Sequence, residues 1–248
     1  MSSWIAEEIK YYYDGIRLGE YPRLIWELLR EEVTDCHSLL DVASGPGAFA
    51  LSGLSLGWQV TATDINPLPL SFLEAEAKRL ALPGELHTVC GDFKTVPLEK
   101  ADMMAAAYCF CEPLAGEDTL GRMLDLGRKL AVFVTPGKTW EPEFLTAGIP
   151  EDKRETPRLL EENSAHESLR QAAKKRGLVL KEQALECDFG CPHNPADQAL
   201  LSFLSRKTGV ADLQLLAEHL NNIAVQRNNM PWLPNPRNMT VLWTNKKS

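Results

Sequence analysis

The sequence lacks a long uninterrupted hydrophobic run. Its longest nearly uncharged stretch, residues 39–58, contains Asp41, four glycines and a proline, whereas a membrane-spanning helix needs about 20 predominantly apolar residues. The first ten residues include two glutamates where a signal peptide would carry a basic and then an apolar segment. Six cysteines in 248 residues do not suggest a disulfide framework. We therefore expect a cytoplasmic protein with reduced thiols and no membrane partner.

An excess of basic residues is also lacking. The chain has 26 lysines and arginines against 34 aspartates and glutamates, which gives a formal net charge of -8. This balance disfavours attraction to a phosphate backbone, so we expect no nucleic-acid partner. The hydrophobic fraction of 44% is ordinary for a globular protein. The length fits one large domain, or one domain with an appendage.

From residue 38 onward, short apolar runs alternate with stretches of helical periodicity. The candidate strands are residues 39–43, 60–65, 86–92, 103–111 and 129–134, and the candidate helices between them lie near 47–56, 68–81 and 117–128. Continuous apolar strands separated by helices are typical of a parallel sheet covered on both faces. The pattern predicts an α/β fold with a doubly wound, mostly parallel sheet.

Two further regions flank this pattern. Residues 1–36 carry apolar and aromatic side chains at helical spacing, with a break near 15–22, and they predict an N-terminal helical cap. The sheet domain is expected to occupy residues 37–190 and 237–248. Residues 191–236 separate its last two strands by more chain than a hairpin needs, so we expect a helical insertion there.

The insertion is predicted to hold two helices. One begins with Asn194 as N-cap and Pro195 at the first helical position, and the other covers about 211–227. Their apolar faces must be buried against another surface. Two alternatives are open at this point: a lid that packs on the cap above the strand ends, or the interface of a homodimer.

Acidic and glycine residues follow three successive strands. The segment Asp41–Gly47 follows the first strand and opens a helix, and its Gly45 and Gly47 allow a ligand to approach the backbone closely. Backbone N–H groups of the following helix can face polar ligand groups. Asp64 ends the second strand, where an acid can bind both hydroxyls of a ribose. Residues 91–93, Gly-Asp-Phe, end the third strand beside the same crevice.

These residues resemble the class I S-adenosylmethionine-dependent methyltransferases, which share the Rossmann-like fold. The family's first motif, an acid followed by a loop with alternating glycines, matches residues 41–47, except that Ala43 stands where the family usually has its first glycine. The resemblance implies S-adenosyl-L-methionine as cofactor, with Asp41 and the loop at its methionine end, Asp64 on the ribose, and Tyr108 near the sulfonium. It further implies that Ile65 packs on the adenine, while Asp92 and Phe93 contact the edge and face of that ring. The full set of implied cofactor-binding residues is Asp41, Ala43, Ser44, Gly45, Gly47, Asp64, Ile65, Asn66, Asp92, Phe93 and Tyr108.

Other functions are compatible with part of this pattern. Gly45, Gly47 and Ala50 satisfy the G-x-G-x-x-G/A fingerprint of NAD(P)-dependent oxidoreductases, for which Asp64 is an acceptable ribose ligand. Asp41 counts against this alternative, since dinucleotide folds prefer an apolar residue there. A non-catalytic regulator that binds the cofactor without turnover is a second alternative.

The methyl acceptor is predicted to be a small molecule. Residues 108–113 read Tyr-Cys-Phe-Cys-Glu-Pro rather than the Asn/Asp-Pro-Pro-Tyr motif that resembles amide or adenine N-methylation. In many small-molecule members of the resembled family an N-terminal segment closes over the substrate. The substrate-binding candidates are Tyr12, Tyr13 and Glu112. The sequence leaves the general base open among His166, His193, His219, Glu112 and Asp188.

Cysteine spacing predicts no metal site. Cys187, Cys191 and His193 could offer three zinc ligands, but structural zinc usually has four, with closer cysteine pairs. Cys109 and Cys111 share an apolar segment without the C-x-x-C spacing of a redox pair, so we expect them to be packing residues.

Overall fold

The computed structural model describes residues 4–109, 116–136, 143–154 and 162–246. Its strands are β1 (Ser38–Val42), β2 (Gln59–Asp64), β3 (Glu85–Cys90), β4 (Ala101–Ala107), β5 (Gly127–Pro136), β6 (Lys181–Asp188), β7 (Cys191–Pro192), β8 (Val225–Arg227), β9 (Met230–Leu233) and β10 (Pro236–Asn245). Its helices are α1 (Ala6–Leu18), α2 (Arg23–Leu28), α3 (Ala48–Ser55), α4 (Pro67–Arg79), α5 (Glu117–Leu126), α6 (Glu143–Thr146), α7 (Glu162–Lys175), α8 (Gln198–Thr208) and α9 (Leu213–Ile223), with a 3₁₀ turn at Glu151–Lys153. Over these ranges, no helix has the length and apolar character needed to cross a membrane.

A seven-stranded sheet forms the centre of the fold, in the order β3-β2-β1-β4-β5-β10-β6. The first five strands in this order pair in parallel. β10 pairs antiparallel with both β5 and β6. The doubly wound, mostly parallel sheet that the sequence predicts is confirmed. The carboxyl ends of the parallel strands and the beginning of β10 therefore meet at one edge, which we call the carboxyl edge.

Helices cover both faces of the sheet because successive strand residues point to opposite sides. Leu39 of β1 packs in a cluster with Phe49 of α3 and Leu73 of α4. Its neighbour Leu40 packs in the opposite cluster, which includes Leu124 of α5. All five of these leucine and phenylalanine side chains are at most 1% exposed, and burial of each contributes about 1.5–3 kcal/mol.

The N-terminal cap consists of α1 and α2, with the predicted break at residues 19–22. Ile25 of α2 and Leu29 immediately after it are fully buried in the same cluster as Leu39. The N-terminal helices are thus part of the main hydrophobic core.

The insertion differs from its prediction in two respects. It contains α8 and α9 as expected, but the N-cap of α8 is Asp197, whose side chain accepts from the Leu200 N–H. Asn194 instead accepts from the Ala196 N–H in a turn before the helix. Moreover, α9 ends at Ile223, and a three-stranded sheet in the order β7-β9-β8 occupies positions predicted to be helix or loop.

An asparagine pair explains the unexpected hairpin. Asn228 and Asn229, between β8 and β9, have φ angles of 50° and 61°. Two successive left-handed residues form the type I′ turn that matches strand twist, and asparagine is among the residues that tolerate it. The two strands are too short to show a clear alternation of apolar and polar residues. The asparagine pair was therefore the sequence feature that could have indicated the hairpin.

Candidate functional site

A glycine loop connects β1 to α3 at the carboxyl edge. Gly45 and Gly47 have φ angles of 52° and 89°, in the left-handed region that favours glycine. A Cβ atom on Gly47 would lie 2.5 Å from Cδ1 of Leu73. Both the backbone conformation and the packing of α4 therefore require glycine at position 47.

Ala43 adopts the same left-handed conformation, with a φ angle of 52°. This is the position at which the sequence departs from the glycine of the resembled family. Left-handed backbone costs a residue with a Cβ atom roughly 1–2 kcal/mol. The loop thus keeps the conformation for which glycine is suited, although its first residue is alanine.

Two buried acids hold the loop in place. Asp41 is 3% exposed, and its Oδ2 accepts from the Ala50 N–H at 2.9 Å. Asp64 is 6% exposed, and it accepts from the N–H of Gly45 at 3.0 Å and from that of Asn66 at 2.9 Å. Burial raises the pKa of Asp41 to about 7 and also raises the pKa of Asp64. The ends of β1 and β2 are therefore brought together as predicted.

An apolar surface lies directly beyond Asp64. Ile65 is 54% exposed and Leu68 is 44% exposed, so two large apolar side chains close in sequence face outward here. Asp92, after β3, is also exposed and accepts from the Lys94 N–H at 2.9 Å. This edge offers an apolar platform next to carboxylates, which suits a flat heterocycle joined to a ribose.

Phe93 does not present its ring to this surface. It is 5% exposed, and the guanidinium carbon of Arg122 lies 4.8 Å from its ring centre. Arg122 also donates to the carbonyl oxygens of Phe93 and of Val96. The expectation that Phe93 contacts the face of an adenine is therefore corrected, because its ring packs in the core beside α5.

The loop also contains an unsatisfied polar atom. The Ser44 Oγ is buried and has no hydrogen-bond partner among the described residues. Buried hydroxyl groups are normally hydrogen-bonded, so an orphan beside two left-handed glycines indicates a place for a polar ligand group. Together with the exposed Ile65 surface, the loop fits a ligand with one polar and one flat apolar end, as S-adenosylmethionine has.

The N-terminal cap covers the glycine loop. A Cβ atom on Gly45 would lie 2.9 Å from Cζ2 of Trp4, so this indole rests on the loop. Trp4 in turn packs edge-on against Tyr12, with ring centres 5.2 Å apart. Tyr21, which is 4% exposed, packs against Tyr108 at 5.7 Å. Cap residues thus close the carboxyl edge above the loop and the end of β4.

Two cations lie among the rings of this covered region. Lys207 of α8 donates to the Tyr12 hydroxyl over 3.2 Å. Arg237 of β10 is 2% exposed, and its guanidinium carbon lies 4.2 Å from the ring centre of Phe189 and 5.9 Å from that of Tyr12. We call Tyr12, Tyr21, Phe189, Lys207 and Arg237 the aromatic–cation cluster.

The substrate-binding candidates have different positions. Tyr12 lies in the aromatic–cation cluster, next to Trp4. Tyr13 faces α4, where its hydroxyl donates to Glu76 at 2.7 Å and its ring packs on Phe72. We therefore no longer regard Tyr13 as a substrate ligand. Glu112 lies outside the described residues.

Asp188 is a structural hub rather than a candidate base. Its carboxylate accepts from Arg227 at 2.8 Å, from the Trp232 indole at 2.7 Å and from the Asn235 N–H at 2.8 Å. Its backbone N–H donates to Glu20 of the cap at 2.8 Å. These bonds connect β6, the small sheet and the cap.

The histidines are likewise engaged. His193 Nε2 lies 2.7 Å from Oδ1 of Asn221, and His219 packs near the Leu145 backbone. His166 Nε2 lies 2.6 Å from Oγ1 of Thr135, which is near the end of β5. Burial lowers the pKa of His166 and of His219, which favours the neutral form of each imidazole.

The predicted absence of a metal site stays an expectation. Among the described residues, no group of three histidine, cysteine, aspartate or glutamate side chains is arranged to hold a metal ion. Burial raises the pKa of the Cys187 thiol to about 12.

Sequence reasoning missed four residues of the covered edge: Trp4, Tyr21, Phe189 and Arg237. Trp4 and Tyr21 lie on either side of the candidates Tyr12 and Tyr13, so the aromatic content of residues 4–21 was an available signal. Arg237 near the start of an otherwise apolar strand was another.

Comparisons with known proteins agree with this geometry. Residues 40–121 match the family described as methyltransferase domain. A search of curated proteins finds no match. Magnesium protoporphyrin IX methyltransferase from Synechocystis PCC 6803, with bound S-adenosylhomocysteine, is 10% identical over 99% of this chain and 90% of its own, with a TM-score of 0.53.

Two further solved structures share the fold. Precorrin-6y C5,15-methyltransferase from Geobacter metallireducens is 9% identical over 92% of this chain and 90% of its own, with a TM-score of 0.52. Precorrin 8W decarboxylase from Methanobacterium thermoautotrophicum is 12% identical over 90% of both chains, with a TM-score of 0.51. At such identities these similarities establish the fold alone, and the family match covers residues 40–121, at the amino-terminal half of the sheet.

Proposed function

We propose that this chain, a class I S-adenosylmethionine-dependent methyltransferase by its domain match and its fold, is a cytoplasmic enzyme that methylates a small molecule by direct in-line displacement. The oxidoreductase alternative is set aside, because the matched family is a methyltransferase domain. The observation that carries the small-molecule assignment is the cap, which covers the glycine loop with Trp4 and the end of β4 with Tyr21.

The cofactor would be held by the residues after β1 and β2. Asp41 and Ser44 would bind its methionine end, Asp64 its ribose, and Ile65 its adenine. Support comes from the orphan hydroxyl of Ser44, the left-handed glycines and the exposed Ile65. When bound, S-adenosylmethionine supplies a methyl group activated by its sulfonium.

The chain itself would align the acceptor with the methyl group of the cofactor and exclude water from the site. Holding two reactants in line can lower a barrier by about 7–11 kcal/mol. Trp4, Tyr12 and Tyr21 present apolar rings above the loop, and such a cover excludes water from the site. A general base is required only if the acceptor arrives protonated. His166 of α7 is the histidine that lies next to a strand end, through its contact with Thr135 of β5.

The aromatic–cation cluster indicates what the acceptor carries. Lys207 and Arg237 lie within 6 Å of the Tyr12 ring centre. The carboxylate of Glu8 in α1 interacts electrostatically with Lys207. Flat rings beside two cations suit a planar acceptor with a carboxylate or phosphate group.

An acceptor screen with radiolabelled cofactor tests this function. The panel pairs planar aromatic acids with their primary amides, and S-adenosylhomocysteine formation is measured. We expect turnover of acids in preference to amides, and Lys207→Gln should raise KM for the acid at least tenfold. The exposed neighbour Arg206 provides the control, since Arg206→Gln should leave KM within about twofold. Equal turnover of acids and amides would contradict the anionic acceptor.

The same screen separates the remaining alternatives. Tight cofactor binding without product from any acceptor would indicate a regulator. Sedimentation of the protein tests the homodimer alternative for the insertion. Leu204, Leu216 and Leu220 of α8 and α9 are buried within the single chain, so these side chains support a lid that packs on the cap rather than an interface.

A further inference from the structure

The cap contains four tyrosines, and three of their hydroxyl groups have partners in the protein. Tyr11 accepts from the Asn235 side chain at 3.1 Å. Tyr12 accepts from Lys207, and Tyr13 donates to Glu76. The hydroxyl of Tyr21 makes no hydrogen bond to any residue in the described ranges, although the residue is only 4% exposed.

The Tyr21 hydroxyl is not one of the fully enclosed polar atoms that lack a partner, so a ligand or water can reach it although the rest of the side chain is covered. The ring of Tyr21 is fixed by Tyr108 at 5.7 Å and by Phe189 at 5.4 Å. Its hydroxyl interacts electrostatically with Tyr108 and with Asp41. It also interacts with Cys187 and Arg237. The Tyr21 side chain therefore lies beside the end of β4 and within electrostatic reach of Asp41, where the methionine end of the cofactor is proposed to lie.

We propose that the Tyr21 hydroxyl binds the cofactor by donating a hydrogen bond to the carboxylate of its methionine end. The inference rests on the proposed function, since it assigns a cap residue to the same cofactor. It goes beyond the sheet domain, because Tyr21 belongs to the segment between α1 and α2. Burial raises the pKa of Tyr21 well above its usual value, so the hydroxyl keeps its proton and remains a donor. Asp41, close by, is the complementary partner for the ammonium group.

Calorimetric titration with two ligands tests this assignment. One ligand is S-adenosylhomocysteine, and the other is its decarboxylated analogue, which lacks only the carboxylate. Tyr21→Phe keeps the ring contacts and removes the hydroxyl. We expect it to weaken S-adenosylhomocysteine binding at least tenfold, as for loss of a hydrogen bond to a charged group. Binding of the decarboxylated analogue should stay within twofold of wild type.

Tyr11→Phe is the matched control, because the Tyr11 hydroxyl already accepts a hydrogen bond from Asn235, just before β10. It should leave the ratio of the two affinities unchanged, even if it lowers the melting temperature. The proposal is overturned if Tyr21→Phe leaves S-adenosylhomocysteine binding intact, or if it weakens both ligands equally. Should Tyr21→Phe not fold, wild-type binding of both ligands with equal affinity overturns it, and a tenfold preference for the carboxylate supports it. A wild-type protein that binds neither ligand would refute the proposed function itself.

Discussion

The backbone N–H of Gly45 donates a hydrogen bond to Oδ2 of Asp64 over 3.0 Å. The acid at the end of β2 therefore holds the loop that follows β1, and both parts of the candidate cofactor site form one hydrogen-bonded unit. Asp64 has a second bond to the Asn66 N–H, so the same carboxylate shapes the start of α4.

Replacement of Asp64 by alanine should consequently affect both binding and stability. We expect S-adenosylhomocysteine affinity to fall at least tenfold, since charge-assisted hydrogen bonds contribute about 1.5–3 kcal/mol. Loss of the two loop bonds should lower the free energy of unfolding by about 1–3 kcal/mol. Calorimetry and urea denaturation measure the two effects. Unchanged affinity in a folded variant would refute the role of Asp64.

Asp41 should make stability depend on pH. In the unfolded chain this carboxyl loses its proton near pH 3.8, whereas in the folded protein it does so at about pH 7. Between these values only the folded state retains the proton, so stability falls as pH rises, by up to about 4 kcal/mol. Asp41→Asn removes this dependence. Its stability relative to wild type, measured in urea, should therefore increase from pH 4 to pH 7 and then level off.

The same titration should affect cofactor binding. If ionised Asp41 binds the ammonium group, wild-type affinity for S-adenosylhomocysteine should increase as pH rises through about 7. Asp41→Asn should bind weakly, with a flat profile from pH 6 to pH 8. Calorimetry in buffers of equal ionic strength checks both profiles, and a flat wild-type profile would contradict the assignment.

Gly47 should tolerate alanine less well than Gly57 does. Both have left-handed backbone, with φ angles of 89° and 79°. A Cβ on Gly47 would clash with Leu73, whereas no atom lies within 4 Å of a Cβ on Gly57. Gly57→Ala should therefore cost about 1–2 kcal/mol from backbone strain alone, and Gly47→Ala at least about 1 kcal/mol more from overpacking. If thermal denaturation shows equal losses of stability for the two variants, the Leu73 side chain moves away from the added methyl group without cost.

Asp188 should prove structural. Asp188→Ala leaves Arg227, the Trp232 indole and the Asn235 N–H without their acceptor, and we expect a loss of about 2–4 kcal/mol. Glu186→Ala, at an exposed position on the same strand, should change stability by less than about 0.5 kcal/mol. S-adenosylhomocysteine binding should persist in the folded Asp188 variant. If Asp188 were a general base, Asp188→Ala would instead keep the stability of the wild type and lose turnover.

Local chemistry determined much of the fold and of the cofactor end of the site. The apolar runs of β1, β2, β4 and β5 bury both faces of each strand, so they can be recognised from sequence alone. Asp41, Gly47 and Asp64 lie at strand ends or in a tight turn, where the order of strand, acid and glycine along the chain identifies them. The hairpin at Asn228 and Asn229 was missed, because its strands are too short to show a periodic pattern.

Tertiary structure determined which residues cover the candidate site and where the side chain of each predicted site residue lies. Tyr12 and Tyr13 are neighbours in sequence, yet helical rotation sends one to Lys207 and the other to Glu76 of α4. Phe93 follows the exposed Asp92 but turns inward beneath Arg122. Trp4 reaches Gly45, and Arg237 reaches Phe189, across large distances along the chain. Such contacts arise only when the cap and the last strand pack on the same carboxyl edge, because packing against distant segments, rather than local periodicity, sets the direction in which each side chain is buried.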